Sequence, residues 1–192
     1  PANCWDLAYN ETQDILFLAM TNGTILVVDN YVAGGFDASA ARTITPGDGA
    51  SISNIHGIAY RADTDTLVVT DVGDAAVADD GKVYVISNAS SASGMVTPDR
   101  TLAGPATMLG NPVDLILEGN KAFIAEKSND AILLYNNLFA GHSGDFAPNP
   151  TVASVQPDSL VPSPTPRRHA DAPDLHDSDT SIARLPVHRP SP

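Results

Sequence analysis

The hydrophobic positions of this chain fall in short, almost unbroken apolar runs separated by polar turns. "ILFLAM" at 15–20, "TLVVTD" at 66–71 and "KAFIAE" at 121–126 are each followed by a second run, "TILVVDN" at 24–30, "KVYVISN" at 82–88 and "AILLYNN" at 131–137. Short runs rich in Val, Ile, Leu and Phe, bounded by Asn, Asp and Gly, predict strands. Their lack of alternation predicts sheets covered on both faces, because a strand with one wet face alternates apolar and polar residues. No interval between the runs holds an amphipathic stretch of helical length, which argues against βαβ units and a parallel sheet.

Ahead of each pair stands a further apolar segment introduced by an asparagine: "NCWDLAY" from Asn3, "NIHGIAY" from Asn54 and "NPVDLIL" from Asn111, 51 and 57 residues apart. A short fourth segment closes each unit, "ARTIT" at 41–45, "DRTLA" at 99–103 and the weaker "PTVA" at 150–153. A repeat near this length predicts a propeller or a solenoid. The Asn22-Gly23 pair in "TNGT" predicts a two-residue hairpin with both φ values positive, and hence antiparallel neighbours. The expected fold is all-β: three four-stranded antiparallel sheets forming a partial β-propeller over residues 1–154, with blades at about 3–53, 54–110 and 111–153. An irregular Pro-rich tail is expected over 155–192, which holds eight of the 15 prolines and neither a Gly nor an aromatic residue. Such a composition buries too little apolar surface to offset the entropy of ordering it. A natural linker and a frame-altered carboxy terminus both account for the break.

The stretch "ARTITPGDGASISNIHGIAYRADTDTLVVTDV", continued by "GKVYVISNAS", "DRTLAGPATMLGNPVDLIL" and "KAFIAEKSNDAILLYNN", resembles the NHL and YVTN-type β-propellers over residues 3 to about 153. The resemblance implies blades around an axis with the first strand of each innermost. It implies little about activity, since that superfamily hosts binding scaffolds, lactonases, lyases and dehydrogenases alike. The chain departs from the pattern in the acidic insertion "DVGDAAVADDG", in Pro150 where an Arg is expected, and in having no fourth first strand.

Three blades do not close a ring. Each open blade face covers roughly 300 Å², and exposing two would forfeit on the order of 10 to 15 kcal/mol. Missing blades, coverage of a face by the tail, or self-association of two copies is therefore expected, the last with Leu16, Leu18, Leu133 and Tyr135 near the contact.

Charge and composition narrow the partners. A net charge of −13 argues against non-specific nucleic-acid or anionic-membrane binding. The apolar runs fall far short of the roughly 20 residues of a membrane span, so no membrane insertion is expected. Cys4 is the only cysteine and reads as a small buried residue, with no internal disulfide. A chain beginning at Pro1 fits a processed, exported product, so an extracellular or periplasmic location is expected. Asn10, Asn22 and Asn88 stand in N-x-S/T sequons.

Candidate chemistry sits at the inner strands. The amides of Asn3, Asn54 and Asn111 could converge on a ligand, or close local turns. His56 could act as base or ligand, and Trp5 as a stacking platform, with core packing the alternative for both. Asp71, Asp74, Asp79 and Asp80 are oxygen ligands of the kind calcium prefers, without EF-hand spacing, so a solvated acidic turn is the competing reading. Glu126 lies near where lactonase propellers of the gluconolactonase and regucalcin type place an acidic ligand, but the resemblance does not extend to individual residues. No catalytic residue and no cofactor beyond possible calcium is therefore assigned. There is no Gly-rich phosphate loop, G-x-S-x-G elbow or HExxH pair. The tail histidines His169, His176 and His188 are too widely spaced for a fixed ligand set. The expected function is a non-catalytic, exported binding scaffold for a protein, glycan or small ligand, with a metal-dependent hydrolase or lactonase as the alternative.

Overall fold

A computed structural model of the 192-residue chain describes residues 2–35, 37, 39, 41–47, 53–74, 76–153 and 160. The first sheet holds β1 (Cys4–Asn10), β2 (Ile15–Met20), β3 (Thr24–Asp29) and β4 (Arg42–Pro46), joined at the β4 edge by β8 (Gly94–Val96). The second orders β5 (Ile55–Arg61), β6 (Thr66–Asp71), β7 (Lys82–Ser87) and β9 (Arg100–Ala103). The third orders β10 (Pro112–Glu118), β11 (Lys121–Glu126), β12 (Ala131–Tyr135) and β13 (Asn149–Ala153). Each sheet thus holds a blade of four antiparallel strands, and the described chain is a partial β-propeller. No α-helix occurs among the described residues.

The blades stack face to face with β1 against β5 and β5 against β10. Phe17, Ile25, Val27 and Ile44 of blade 1 are fully buried with Ile55, Leu67 and Val69 of blade 2. The second seam packs Val68, Val83 and Leu102 of blade 2 against Leu115, Ile124, Leu133 and Tyr135 of blade 3. All six residues of β6 are buried, as the unbroken "TLVVTD" run requires of the middle blade.

Each seam is also held at its outer end by an arginine of the fourth strand. The Arg42 guanidinium pairs with Asp29 at 3.0 Å and donates to the carbonyls of Ser90, at 2.7 Å, and Ala92, both in the next blade. Arg100 repeats this one blade on, donating to the carbonyls of Asn137 and Leu138 at 2.6 Å and His142 at 3.1 Å. Beside each clamp the next blade lends a piece of strand: β8 pairs parallel to β4, and Gly144 forms a parallel bridge with Leu102. Neither lent strand was foreseen, because its partner is a residue of the preceding repeat.

Several sequence expectations need correction. The "TNGT" turn leaves three residues between the Met20 and Thr24 pair, and only Gly23 has positive φ, at 82°; this is the three-residue hairpin geometry rather than the two-residue one. Cys4 is exposed, not buried. Asn10 is 3% exposed and bonded to Gln13 and Tyr60, so its sequon is inaccessible in the fold, whereas Asn22 and Asn88 are exposed. Leu133 and Tyr135 face blade 2 and are buried, so the open side of blade 3 is formed instead by Ile132 and Leu134. Leu16 and Leu18 do lie on the outward face of blade 1, in register with Tyr9 and Leu7. The expected tail lies outside the described residues except for Leu160.

Two substitutions test the seams by urea unfolding. A Cβ at Gly57 would sit 2.8 Å from Asp114 Cα and 2.9 Å from Leu115 N, so Gly57→Ala is expected to cost about 1–3 kcal/mol. Arg100→Ala strips three carbonyls of a charged donor and is expected to cost about 1–2 kcal/mol. Unchanged midpoints would show that the seams do not depend on these contacts.

Candidate functional site

All three inner strands carry a bulge at the same place. The register shifts between Cys4 and Asp6, between Ile55 and Ile58, and between Pro112 and Asp114. A bulge bends the strand and re-aims the extra side chain, here Trp5, His56 and Val113 at equivalent stations. The opening asparagines occupy equivalent corners too. The backbone carbonyls of Asn3, Asn54 and Asn111 accept from Thr21, Val72 and Lys127, each the residue after a second strand.

What closes these corners differs by blade. In blade 1 the Thr21 hydroxyl accepts the Asn3 N–H at 3.0 Å. In blade 2 the fully buried Asp71 carboxylate accepts from Asn54 N at 2.7 Å, Gly73 N at 2.9 Å, the Ser53 hydroxyl at 2.7 Å and the Tyr84 hydroxyl at 3.3 Å. In blade 3 the fully buried Glu126 accepts from Asn111 N, Ser128 N and Asn129 N. Asp71, a calcium-ligand candidate in the sequence, and Glu126 therefore have their oxygens turned to backbone and hydroxyl donors. The side-chain oxygens of Asn54 and Asn111 are buried with no hydrogen-bond partner among the described residues.

A second pair of carboxylates, missed in the sequence, sits at the bulges, and the first of them reaches across a seam. Asp6 Oδ1 accepts the Leu7 N–H at 2.7 Å, while Asp6 Oδ2 accepts the Ile58 N–H of the next blade at 3.0 Å. Asp114 Oδ1 likewise accepts the Leu115 N–H at 2.7 Å. Burial raises the Asp6 carboxyl above its ordinary range; its two backbone bonds oppose the shift and the nearby Asp114 adds to it. The available signal was an Asp three places after the opening Asn in "NCWD" and "NPVD", with Gly in "NIHG".

Trp5 and His56 stack across the first seam, their ring centroids 3.9 Å apart and their planes 9° from parallel. Trp5 is 53% exposed, contrary to a core reading, while His56 is 7% exposed with its Nδ1 unpaired among the described residues. Burial pulls the His56 pKa down to about 4, with Asp71 opposing and Lys127 adding, so the ring is neutral near neutral pH. Asn3 is exposed at the start of the same strand as Trp5.

The acidic insertion does not gather its carboxylates. Asp74 Oδ1 accepts Ala76 N, Asp80 Oδ2 accepts Asp74 N, and Asp79 is exposed at φ 63°. Asp74, Asp79 and Asp80 line an open depression of about 460 Å³ together with Lys82, away from the buried Asp71. Among the described residues no group of three or more His, Cys, Asp or Glu side chains is placed to hold a metal ion.

Two predictions arise from the buried groups. Asp71→Ala leaves several buried donors unmatched and is expected to cost about 3 kcal/mol or more in chemical denaturation, with Asp71→Asn losing less. His56 is neutral in the fold down to about pH 4 but takes a proton below about pH 6.5 when unfolded. The unfolded state thus binds more protons between those values, so stability falls as pH drops through that window, by up to about 3 kcal/mol. His56→Phe is expected to flatten this slope; an unchanged slope would remove His56 as its source.

No protein-family model and no curated protein matches the chain. Among solved structures it is similar to a protein from Lactobacillus plantarum, at 24% identity and a TM-score of 0.48, over 68% of this chain and 37% of that one. It is also similar to BBS1N, solved in complex with ARL6DN, at 18% identity and a TM-score of 0.41, over 80% of this chain and 40% of that one. The chain thus covers less than half the length of either.

Proposed function

We propose that this chain is a non-catalytic propeller module of the NHL/YVTN type that binds a glycan at the inner edge of blades 1 and 2. The Trp5–His56 pair carries this reading: an indole 53% exposed, yet held in place by a ring stacked 3.9 Å behind it. A sugar ring presents a flat apolar face that such an indole can cover, and a ring already fixed by packing loses little freedom on binding. The amide of Asn3, exposed at the start of the same strand, can hydrogen-bond sugar hydroxyls at the same corner.

The carboxylates near the inner strands support binding over hydrolysis. Asp6, Asp71, Asp114 and Glu126 all accept backbone N–H groups. A metal-dependent hydrolase or lactonase needs carboxylate oxygens facing its substrate or its ion.

Trp5 is the only tryptophan, so its fluorescence reports directly on this surface. Titration of the full chain with a panel of neutral oligosaccharides is expected to give a saturable change in emission. Isothermal calorimetry is expected to show that Trp5→Ala weakens the same interaction about tenfold while the circular dichroism spectrum is kept. Binding unaffected by Trp5→Ala, or no response from any sugar at millimolar concentration, overturns the glycan assignment. Stoichiometric calcium uptake abolished by Asp79→Ala and Asp80→Ala would favour the hydrolase instead.

A further inference from the structure

The seam between blades 1 and 2 has a counterpart beyond blade 3. In each inner strand the residue four places after the opening Asn follows the bulge: Leu7, Ile58 and Leu115. Asp6 serves two such N–H groups, its own neighbour Leu7 and Ile58 in the next blade. Asp114 also serves two, its own neighbour Leu115 and, at 2.6 Å from Oδ2, the N–H of Leu160. Leu160 therefore stands toward Asp114 as Ile58 stands toward Asp6.

Packing and sequence agree with this equivalence. Asp6 pairs in register with Ala19, and Asp114 with Ala125. Ile58 is buried in the same cluster as Ala19, and Leu160 packs on Ala125, Val113 and Val72. Counting back four places from Leu160 gives "QPDSL" at 156–160, which aligns with "NPVDL" at 111–115, proline on proline and leucine on leucine. The station before the borrowed N–H carries no carboxylate in either case, Gly57 before Ile58 and Ser159 before Leu160, so the acceptor must come from the preceding blade.

The face that would receive this segment is open. Phe17, Ile25 and Val27 on the forward face of blade 1 are fully buried under blade 2. Their counterparts on blade 3, Phe123, Ile132 and Leu134, are only partly buried. We propose that residues 156–162 are the inner strand of a fourth blade, docked on the forward face of blade 3 through Asp114 and Leu160. The stretch taken in the sequence for the start of an irregular tail then continues the repeat, and this chain's own segment occupies the inner edge of its exposed face.

Hydrogen exchange on the full chain tests the assignment. The amides of residues 159–161 are expected to be protected at least about tenfold relative to residues 170–190. Asp114→Ala is expected to abolish that protection while β11 stays protected. Because Asp114 also holds Leu115, Asp114→Ala could loosen blade 3 as a whole; Leu160→Pro removes only the donor and is expected to free residues 159 and 161 with blade 3 intact. Exchange at 159–161 as fast as at 170–190 in the wild type would overturn the proposal. So would protection unchanged in Leu160→Pro, or sedimentation showing a dimer whose dissociation on dilution exposes β12 while 159–161 exchange freely, since a second copy would then cover the face.

Discussion

A bulge on every inner strand leaves an N–H without a ladder partner, and the way these donors are satisfied governs how the blades join. Burying such a donor unpaired would cost about 1–3 kcal/mol. Asp6 meets the need for two strands at once, with one oxygen for Leu7 and the other for Ile58. The bond fixes blade 2 against blade 1 at the level of the bulge, and the side chains at that level follow from it. Trp5 meets His56 there. Gly57 is required there as well, because its backbone lies against that of Asp114 with no room for a Cβ.

The outer ends are joined by a different device with the same logic. Turns after the third strands expose carbonyls that the strand ladder does not use, and a guanidinium from the preceding blade collects them. Arg42 and Arg100 occupy the same station of successive repeats and reach corresponding turns. Asp29 neutralises Arg42, but blade 2 has Ser87 at that station, so Arg100 is held by carbonyls and the face of Phe146, and burial lowers its pKa. At the third copy of the station Pro150 has no donor to offer a further blade. Both seams therefore have an arginine clamp without, and the first also has a carboxylate clasp within.

These structural duties shape what the inner edge can do. Asp71 and Glu126 are fully buried acids, a combination that in isolation invites a catalytic reading. Their partners are the N–H groups that turn the chain into the next strand, so removing either opens a corner of the scaffold. His56 is kept neutral by the same burial that positions it behind Trp5. The surface presented is an exposed indole stacked on a neutral imidazole, with the exposed Asn3 at the start of its strand.

The strands, their order within each blade and the equivalence of Asn3, Asn54 and Asn111 were legible in the sequence, because apolar runs and turn residues act over a few positions. The side of the sheet each residue faces was not legible wherever a run was apolar throughout. "AILLY" gives no means of telling Leu133, buried on blade 2, from Leu134, on the open side, since the period of two is hidden when both faces are apolar. Nor could local pattern disclose that Trp5 is exposed, that Asp71 and Glu126 point back to their own corners, or that Asp6 and Arg42 reach the next blade. Those outcomes depend on groups some 15 to 52 residues away in the chain, whose distance and burial are set only when the sheets pack. The sequence determined the blades; packing of one blade on the next decided which polar groups hold the scaffold and which ring remains exposed.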